Sequence, residues 1–203
     1  RKALPDALDM LVICAEAGLS SDSALKRVVA ETSRKSSVLG DELNQTAARL
    51  ARAVADEYST SERPRWVAGS MGPGTKFPSL GQIRYEEMRD GFEQQAAALI
   101  AGGVDLLIIE TMFDLLTVKA AMNGSRRAMA GARRRVPLQV QVTIELTGRM
   151  LPGTEIQAAL AAIEALQPDV FGLNCATGPA EMYEHIRVLS EYSSCPISVI
   201  PNA

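Results

Sequence analysis

The segment Gly102-Gly-Val-Asp-Leu-Leu-Ile-Ile-Glu-Thr111 decides the architecture. Its two glycines close the helical pattern before it, because glycine enters the left-handed region freely. The aliphatic run from Val104 to Ile109 follows, interrupted only at Asp105, and it stops on a carboxylate, Glu110. A short β-rich run entered from a helix and left through a polar residue reads as a strand of a parallel sheet.

Working outward, the same unit recurs. The pattern predicts strands over Trp66–Ser70, Asp105–Glu110, Leu138–Ile144, Val170–Asn174 and Ile197–Ile200. Between them it predicts helices over Glu86–Ala101, Leu115–Ala130, Glu155–Leu166 and Ala180–Tyr192. Strand starts fall roughly 30 to 40 residues apart, the cadence of successive βα units. The strands are apolar almost throughout, as expected when both sheet faces are buried. The first strand is not followed by a GxGxxG phosphate turn, which argues against a dinucleotide-binding open sheet. Polar residues stand instead at the C-terminal ends of strands: Ser70, Glu110-Thr111, Thr143, Asn174-Cys175 and Asn202. Active sites of βα-barrels are built at that end. The fold class is therefore α/β, a partial TIM-type βα-barrel of about five parallel strands. A full barrel takes eight strands, so the piece present is expected to leave two sheet edges unpaired.

The first forty residues differ. Leu4, Leu8, Leu11 and Ala15 recur at helical spacing, Gly18 can end that helix, and Ser21 or Asp22 can cap a second one. A third helix is expected from Asp41 to Tyr58, with Leu43, Ala47, Leu50 and Val54 on one stripe. The division is an all-α segment, residues 1–42, followed by a barrel segment, residues 43–203. The chain opens on Arg1 and stops at Ala203 directly after an apolar run, so it reads as a fragment.

Composition narrows the function. A net charge of −3 gives no electrostatic case for nucleic acid. No apolar run reaches the ~18 residues a membrane span needs. The arginines at 133–135 read as a solvated loop rather than a phosphate site. Three distant cysteines, Cys14, Cys175 and Cys195, do not form a disulfide framework, and a reducing cytoplasm is the natural setting.

Cys175 lies where a buried strand meets a glycine-proline turn, in Phe171-Gly-Leu-Asn-Cys-Ala-Thr-Gly-Pro179. A thiolate there can ligate zinc or act as a nucleophile, or the residue can be a small buried thiol. One cysteine cannot make a zinc site, which needs at least three protein ligands. Glu110 can hold an ammonium group or act as a base; equally it can serve the N-terminus of the next helix, with Asp114 one turn on. Gly69-Ser-Met-Gly-Pro-Gly-Thr75 suits either an anion nest or a close substrate loop. His185, the only histidine, reads as a surface residue of a helix, which weakens histidine-based hydrolase chemistry.

Taken together, Val67-Ala-Gly-Ser-Met-Gly-Pro-Gly-Thr-Lys76, Ile109-Glu-Thr111 with Asp114 and Lys119-Ala-Ala121, Gly148-Arg-Met-Leu-Pro-Gly153, Gly172-Leu-Asn-Cys-Ala-Thr-Gly-Pro179 and Ile200-Pro-Asn-Ala203 resemble the homocysteine S-methyltransferase family, in order and in spacing. That family includes the homocysteine-binding module of cobalamin-dependent methionine synthases. The resemblance implies a βα-barrel in which zinc, held by three cysteines, takes homocysteine as a thiolate. A methyl group then comes from methylcobalamin on another module, giving methionine. It implies that Cys175 is the first zinc cysteine, that Glu110 holds the substrate amino group, and that Asn202 lines the pocket; it names no catalytic residue. The Cys175 sulfur and the Glu110 carboxylate are expected to share one hollow at one rim. The family's other two zinc cysteines form an adjacent pair after the Pro-Asn-Ala segment, so this polypeptide alone is expected to bind zinc poorly and to lack activity. The partners implied are homocysteine and the cobalamin-binding module.

The front end, Leu4-Pro-Asp-Ala-Leu-Asp9 through Val38-Leu-Gly-Asp-Glu-Leu43, resembles the cytoplasmic helical domain of tight-adherence pilus platform proteins, relatives of the type II secretion F component. The alternative function is accordingly a helical interaction module of a secretion or pilus platform, with the remainder as passenger.

Overall fold

Gly103 ends its helix as the sequence requires, in the left-handed conformation (φ 96°), with its N–H returned to the carbonyls of Leu99 and Ile100. The computed structural model describes residues 37–202; Cys14 and the first two expected helices lie outside them. The elements in chain order are α1 (Ser37–Glu57), β1 (Ala68–Met71), a 3-10 turn (Pro78–Leu80), α2 (Tyr85–Gly102), β2 (Leu106–Met112), α3 (Leu115–Ala132), β3 (Leu138–Val142), α4 (Ile156–Glu164), β4 (Val170–Asn174), α5 (Pro179–Tyr192) and β5 (Ile197–Ile200). The strands form one sheet in the order β1-β2-β3-β4-β5, every pairing parallel. This is the expected partial barrel, with β1 and β5 as its edges.

One device starts the strands. Asp105, just before β2, accepts the N–H of Val67 at 2.7 Å and a guanidinium N–H of Arg52 at 2.5 Å. Asp169, just before β4, accepts the N–H of Leu138 at 2.8 Å and a guanidinium N–H of Arg135 at 2.7 Å. Each aspartate satisfies an N–H at the entry of the preceding strand, where no ladder partner exists. Arg134 donates to the carbonyls of Ile100 and Val104 and so closes the end of α2. The arginine run is exposed, as the solvated-loop reading expects, while Arg134 ties the end of α2 and Arg135 holds Asp169 before β4.

The two faces of the sheet differ. Leu107, Ile109, Val140, Val142, Phe171 and Leu173 are fully buried and meet the helices. Burial of side chains of this size stabilises by roughly 1.5–3 kcal/mol each. The lateral register places Ser70, Ile108 and Gln139 on the opposite, inner face, and likewise Gln141, Gly172 and Ser198. Ser70, Gln139 and Ser198 are half-buried there and Ala68 is exposed. Ile108, Gln141 and Gly172 are buried on this face as well, so the expectation of burial on both faces holds in part. The Leu138-Gln-Val-Gln-Val142 alternation marks a strand with one polar side, and the inner layer of this open sheet is lined with polar groups.

α1 packs through a face other than its apolar stripe. Its buried positions are Gly40, Asn44 and Ala48, while Leu50 and Val54 are 65% and 57% exposed. A side chain on Gly102 of α2 would collide with Ala48 and with the backbone at Gln45 (2.7 Å to its carbonyl oxygen), so the helices approach through small residues. Leu50 and Val54 turn instead toward Tyr58 and Trp66, lining an apolar groove of about 670 Å³ beside β1. The strand predicted over Trp66–Ser70 begins two residues later, and Trp66 is 70% exposed.

Candidate functional site

At the C-terminal rim, β2 departs from regular geometry. Its register with β3 shifts between Ile109 and Met112. Within that bulge Thr111 adopts φ 59°, a rare state for a β-branched residue that costs on the order of 1–3 kcal/mol. The bulge turns the Thr111 N–H and hydroxyl toward the end of β4.

Asn174, the last residue of β4, meets them. Its amide oxygen accepts the Thr111 N–H at 2.8 Å, and its amide nitrogen donates to Thr111 Oγ1 at 2.8 Å and to Cys175 Sγ at 3.2 Å. Only oxygen can accept a backbone N–H, so this contact fixes which way the amide faces. Thr111 Oγ1 also lies 3.6 Å from Cys175 Sγ. Thr143, at the end of β3, donates its hydroxyl to the Asn174 carbonyl at 3.0 Å. Asn174 and Thr143 are buried, whereas Glu110 and Cys175 are half-buried.

Cys175 and Ala176 are both left-handed (φ 61° and 59°), which turns the chain away from β4 directly after the sulfur-bearing residue. The Cys175 N–H still donates to the Ile200 carbonyl on β5 at 3.1 Å. On the other side, Ser70 of β1 donates its hydroxyl to Glu110 Oε1. Five strands thus converge on one polar rim, and Glu110 and Cys175 are linked through the residues next to each of them.

Asn202 is exposed, and its N–H donates to the Thr177 carbonyl at 3.1 Å, which sets it against the loop after Cys175. Asp114 plays a structural part. It is buried and caps α3, accepting both the N–H and the hydroxyl of Thr117. Glu110 is therefore not needed at that helix start. Cys195 sits in the loop before β5 beside Ser193, away from the rim. His185 is half-buried on α5, so its reading as a surface residue is corrected; burial pushes its imidazole below the ordinary value, opposed by Glu184. It lines a separate polar hollow with Thr147, Arg149 and Glu155.

Sequence reasoning placed Ser70, Thr111, Thr143 and Asn174 at strand ends without assigning them a role; their polarity beside aliphatic runs was the available signal. Deeper on the inner face, Gln139 and Gln141 each donate to Ser198 Oγ at 3.0 Å, reaching across Gly172. Gln141 Oε1 is buried without a hydrogen-bond partner.

The donor set for zinc is incomplete. Among the described residues, no group of three His, Cys, Asp or Glu side chains could hold a metal ion. Cys175 stands as a single sulfur with an amide and a hydroxyl as neighbours, and a zinc site needs more. Among the described residues, no helix is long and apolar enough to cross a membrane.

Comparison with known proteins agrees with this geometry. The family model for homocysteine S-methyltransferase matches residues 23–203. Methionine synthase of Mycobacterium leprae is 54% identical over 162 residues, covering 80% of this chain and 13% of that protein. Methionine synthase of Mycobacterium tuberculosis is 52% identical over 162 residues, covering 80% of this chain and 14% of that protein. The chain therefore spans only about a seventh of these relatives. The crystal structure of the homocysteine methyltransferase MmuM from Escherichia coli, apo form, superposes with a TM-score of 0.68 at 20% identity. It covers 82% of this chain and 61% of that one, a likeness of fold.

Proposed function

The chain belongs to the homocysteine S-methyltransferase family, and from that premise we propose that its polar rim is the homocysteine-holding part of a methyltransferase. The observation that carries this reading is the single hydrogen-bonded cluster joining the Glu110 end of β2 to the Cys175 end of β4.

In this reading the Glu110 carboxylate, held by the Ser70 hydroxyl, receives the substrate ammonium group. Cys175 supplies a sulfur donor beside the substrate thiol, and Asn202 borders the pocket from the neighbouring loop. Zinc and methylcobalamin serve this family in general, and a relative of this fold, MmuM, is known in a metallated form. The described residues do not complete a zinc site; Cys175 would be one of the sulfurs holding the metal, which when bound would keep the substrate thiol ionised at neutral pH. The chain's own contribution is to bind and orient an amino-acid thiol with its amine at one strand end and its sulfur at another. Methyl transfer from a cobalamin-carrying module, with methionine as product, belongs to the assembly of which this rim is one part.

Calorimetric titration tests the reading. Homocysteine is expected to bind with a dissociation constant on the order of 1 mM, a few kcal/mol. Glu110→Gln should weaken it about tenfold, since it removes a charge-assisted contact. Binding equally tight to the wild type and to Glu110→Gln would contradict the assignment.

A further inference from the structure

We infer that Asn174 is a positioning residue that sets the span between the Glu110 carboxylate and the Cys175 sulfur, and so lets the rim engage the amine and the sulfur of one amino-acid thiol together. The inference rests on the proposed function above.

β2 and β4 are not neighbours in the sheet; β3 lies between them. Ladder hydrogen bonds alone therefore leave the separation of their ends to the twist and curl of three strands. Asn174 removes that freedom. Its side chain crosses the end of β3 and grips Thr111 at two atoms, the N–H and Oγ1, both at 2.8 Å. Two contacts from one planar amide fix orientation as well as distance. Thr111 is bonded in chain to Glu110, and Asn174 to Cys175. The same amide nitrogen also reaches Cys175 Sγ at 3.2 Å, so one group fixes both the strand separation and the sulfur's direction.

Two further observations point the same way. Asn174 is 2% exposed, so it acts through its neighbours and not by offering its amide to a ligand. Thr111 holds a conformation that β-branched residues avoid, and the contact with Asn174 uses the N–H that this conformation presents. The Thr143 hydroxyl holds the Asn174 main chain from below, which anchors the crosspiece to the strand it passes over.

Thiol–disulfide exchange reads the span without metal. The Cys175 sulfur attacks homocystine; its S–S bond breaks, one homocysteine thiolate leaves, and a mixed disulfide forms. The competing probe is the disulfide of 4-mercaptobutanoic acid, which has the same chain and no amine. Peptide mass spectrometry follows the full-length protein at Cys175, with Cys195 as the internal control. In the wild type, Cys175 is expected to prefer homocystine roughly fivefold, the size of one modest ion pair, and Cys195 to show no preference. Glu110→Gln and Asn174→Leu should each abolish the preference while Cys175 still exchanges. Thr111→Ser, which keeps the N–H and the hydroxyl, should retain it.

A preference lost in Glu110→Gln but kept in Asn174→Leu overturns the positioning role and leaves the proposed function standing. A wild type without preference overturns both. Should Asn174→Leu fail to fold, amide exchange in the wild type decides. The Thr111 N–H is expected to be protected by at least tenfold over its unfolded rate, and an unprotected Thr111 N–H overturns the inference.

Discussion

Gly172 on β4 lies directly against the backbone of Ser198 on β5, and its missing side chain leaves the space through which Gln139 and Gln141 reach the Ser198 hydroxyl. A β-carbon at position 172 would collide with the Ser198 carbonyl oxygen and lie 2.7 Å from its carbonyl carbon. Backbone cannot retreat here without breaking the β4–β5 ladder. Gly172→Ala is therefore expected to destabilise by about 3 kcal/mol or more, in the range of severe core changes. Urea denaturation monitored by circular dichroism measures it; a loss under about 1 kcal/mol contradicts this close packing.

The two faces of α1 give opposite expectations. Ala48 packs against Gly102, so Ala48→Leu forces the α1–α2 contact apart and should cost about 1–3 kcal/mol. Leu50 is 65% exposed, and Leu50→Ala should change stability by less than about 0.5 kcal/mol. Urea midpoints of the two variants compare them directly. The reverse ranking would mean that the helix is turned to bury its leucine stripe.

Acid should weaken the fold in two stages. The folded state holds His185 below its ordinary value, chiefly through burial, so its neutral form is the one the fold favours. Stability from this group is fully present above the unfolded value of about 6.5 and is lost as pH falls through the folded value beneath it. His185→Gln should flatten the change in melting temperature just below about pH 6.5. Burial pushes the Asp169 carboxyl up, but the Arg135 guanidinium and the Leu138 N–H together hold it below the ordinary carboxylate value. Its contribution is present above about pH 3.9 and disappears as pH falls further. Burial likewise pushes the Glu164 carboxyl up while hydrogen bonds from Ser194 and Ser193 hold it low, so Asp169→Asn should shrink that second stage. Melts across the pH range for both variants provide the check; a wild type that gains stability on acidification from neutral pH contradicts the first stage.

Zinc should bind this polypeptide weakly. With no three-residue donor group among the described residues, a titration against a competing chelator is expected to show no tight stoichiometric site. Tight one-to-one binding lost in Cys175→Ser would show that donors assemble around that sulfur after all.

The parallel sheet was legible because aliphatic runs such as Leu106–Ile109, alternating with helical periods, leave few alternatives. The rim was legible because Glu110 and Cys175 interrupt apolar strands at their C-terminal ends, and the motifs around them resembled one family. The Asn174–Thr111 contact was not legible. It depends on a bulge and a left-handed threonine, and neither leaves a periodic trace in sequence. Which face α1 buries was not legible from its apolar stripe: Leu50 and Val54 are exposed, and Ala48 and Gly102 show that close approach was the stronger demand. The polar layer of the inner face was not legible for a related reason: Gln139 and Gln141 look incidental within an aliphatic strand until the register sets them beside Ser198.

Nuclear magnetic resonance titration shows where homocysteine binds. Saturable shifts are expected to concentrate at the amides of Glu110, Thr111, Asn174, Cys175 and Asn202. Shifts confined to the groove between Leu50 and Trp66, or to the hollow beside His185, would contradict the assignment of the rim.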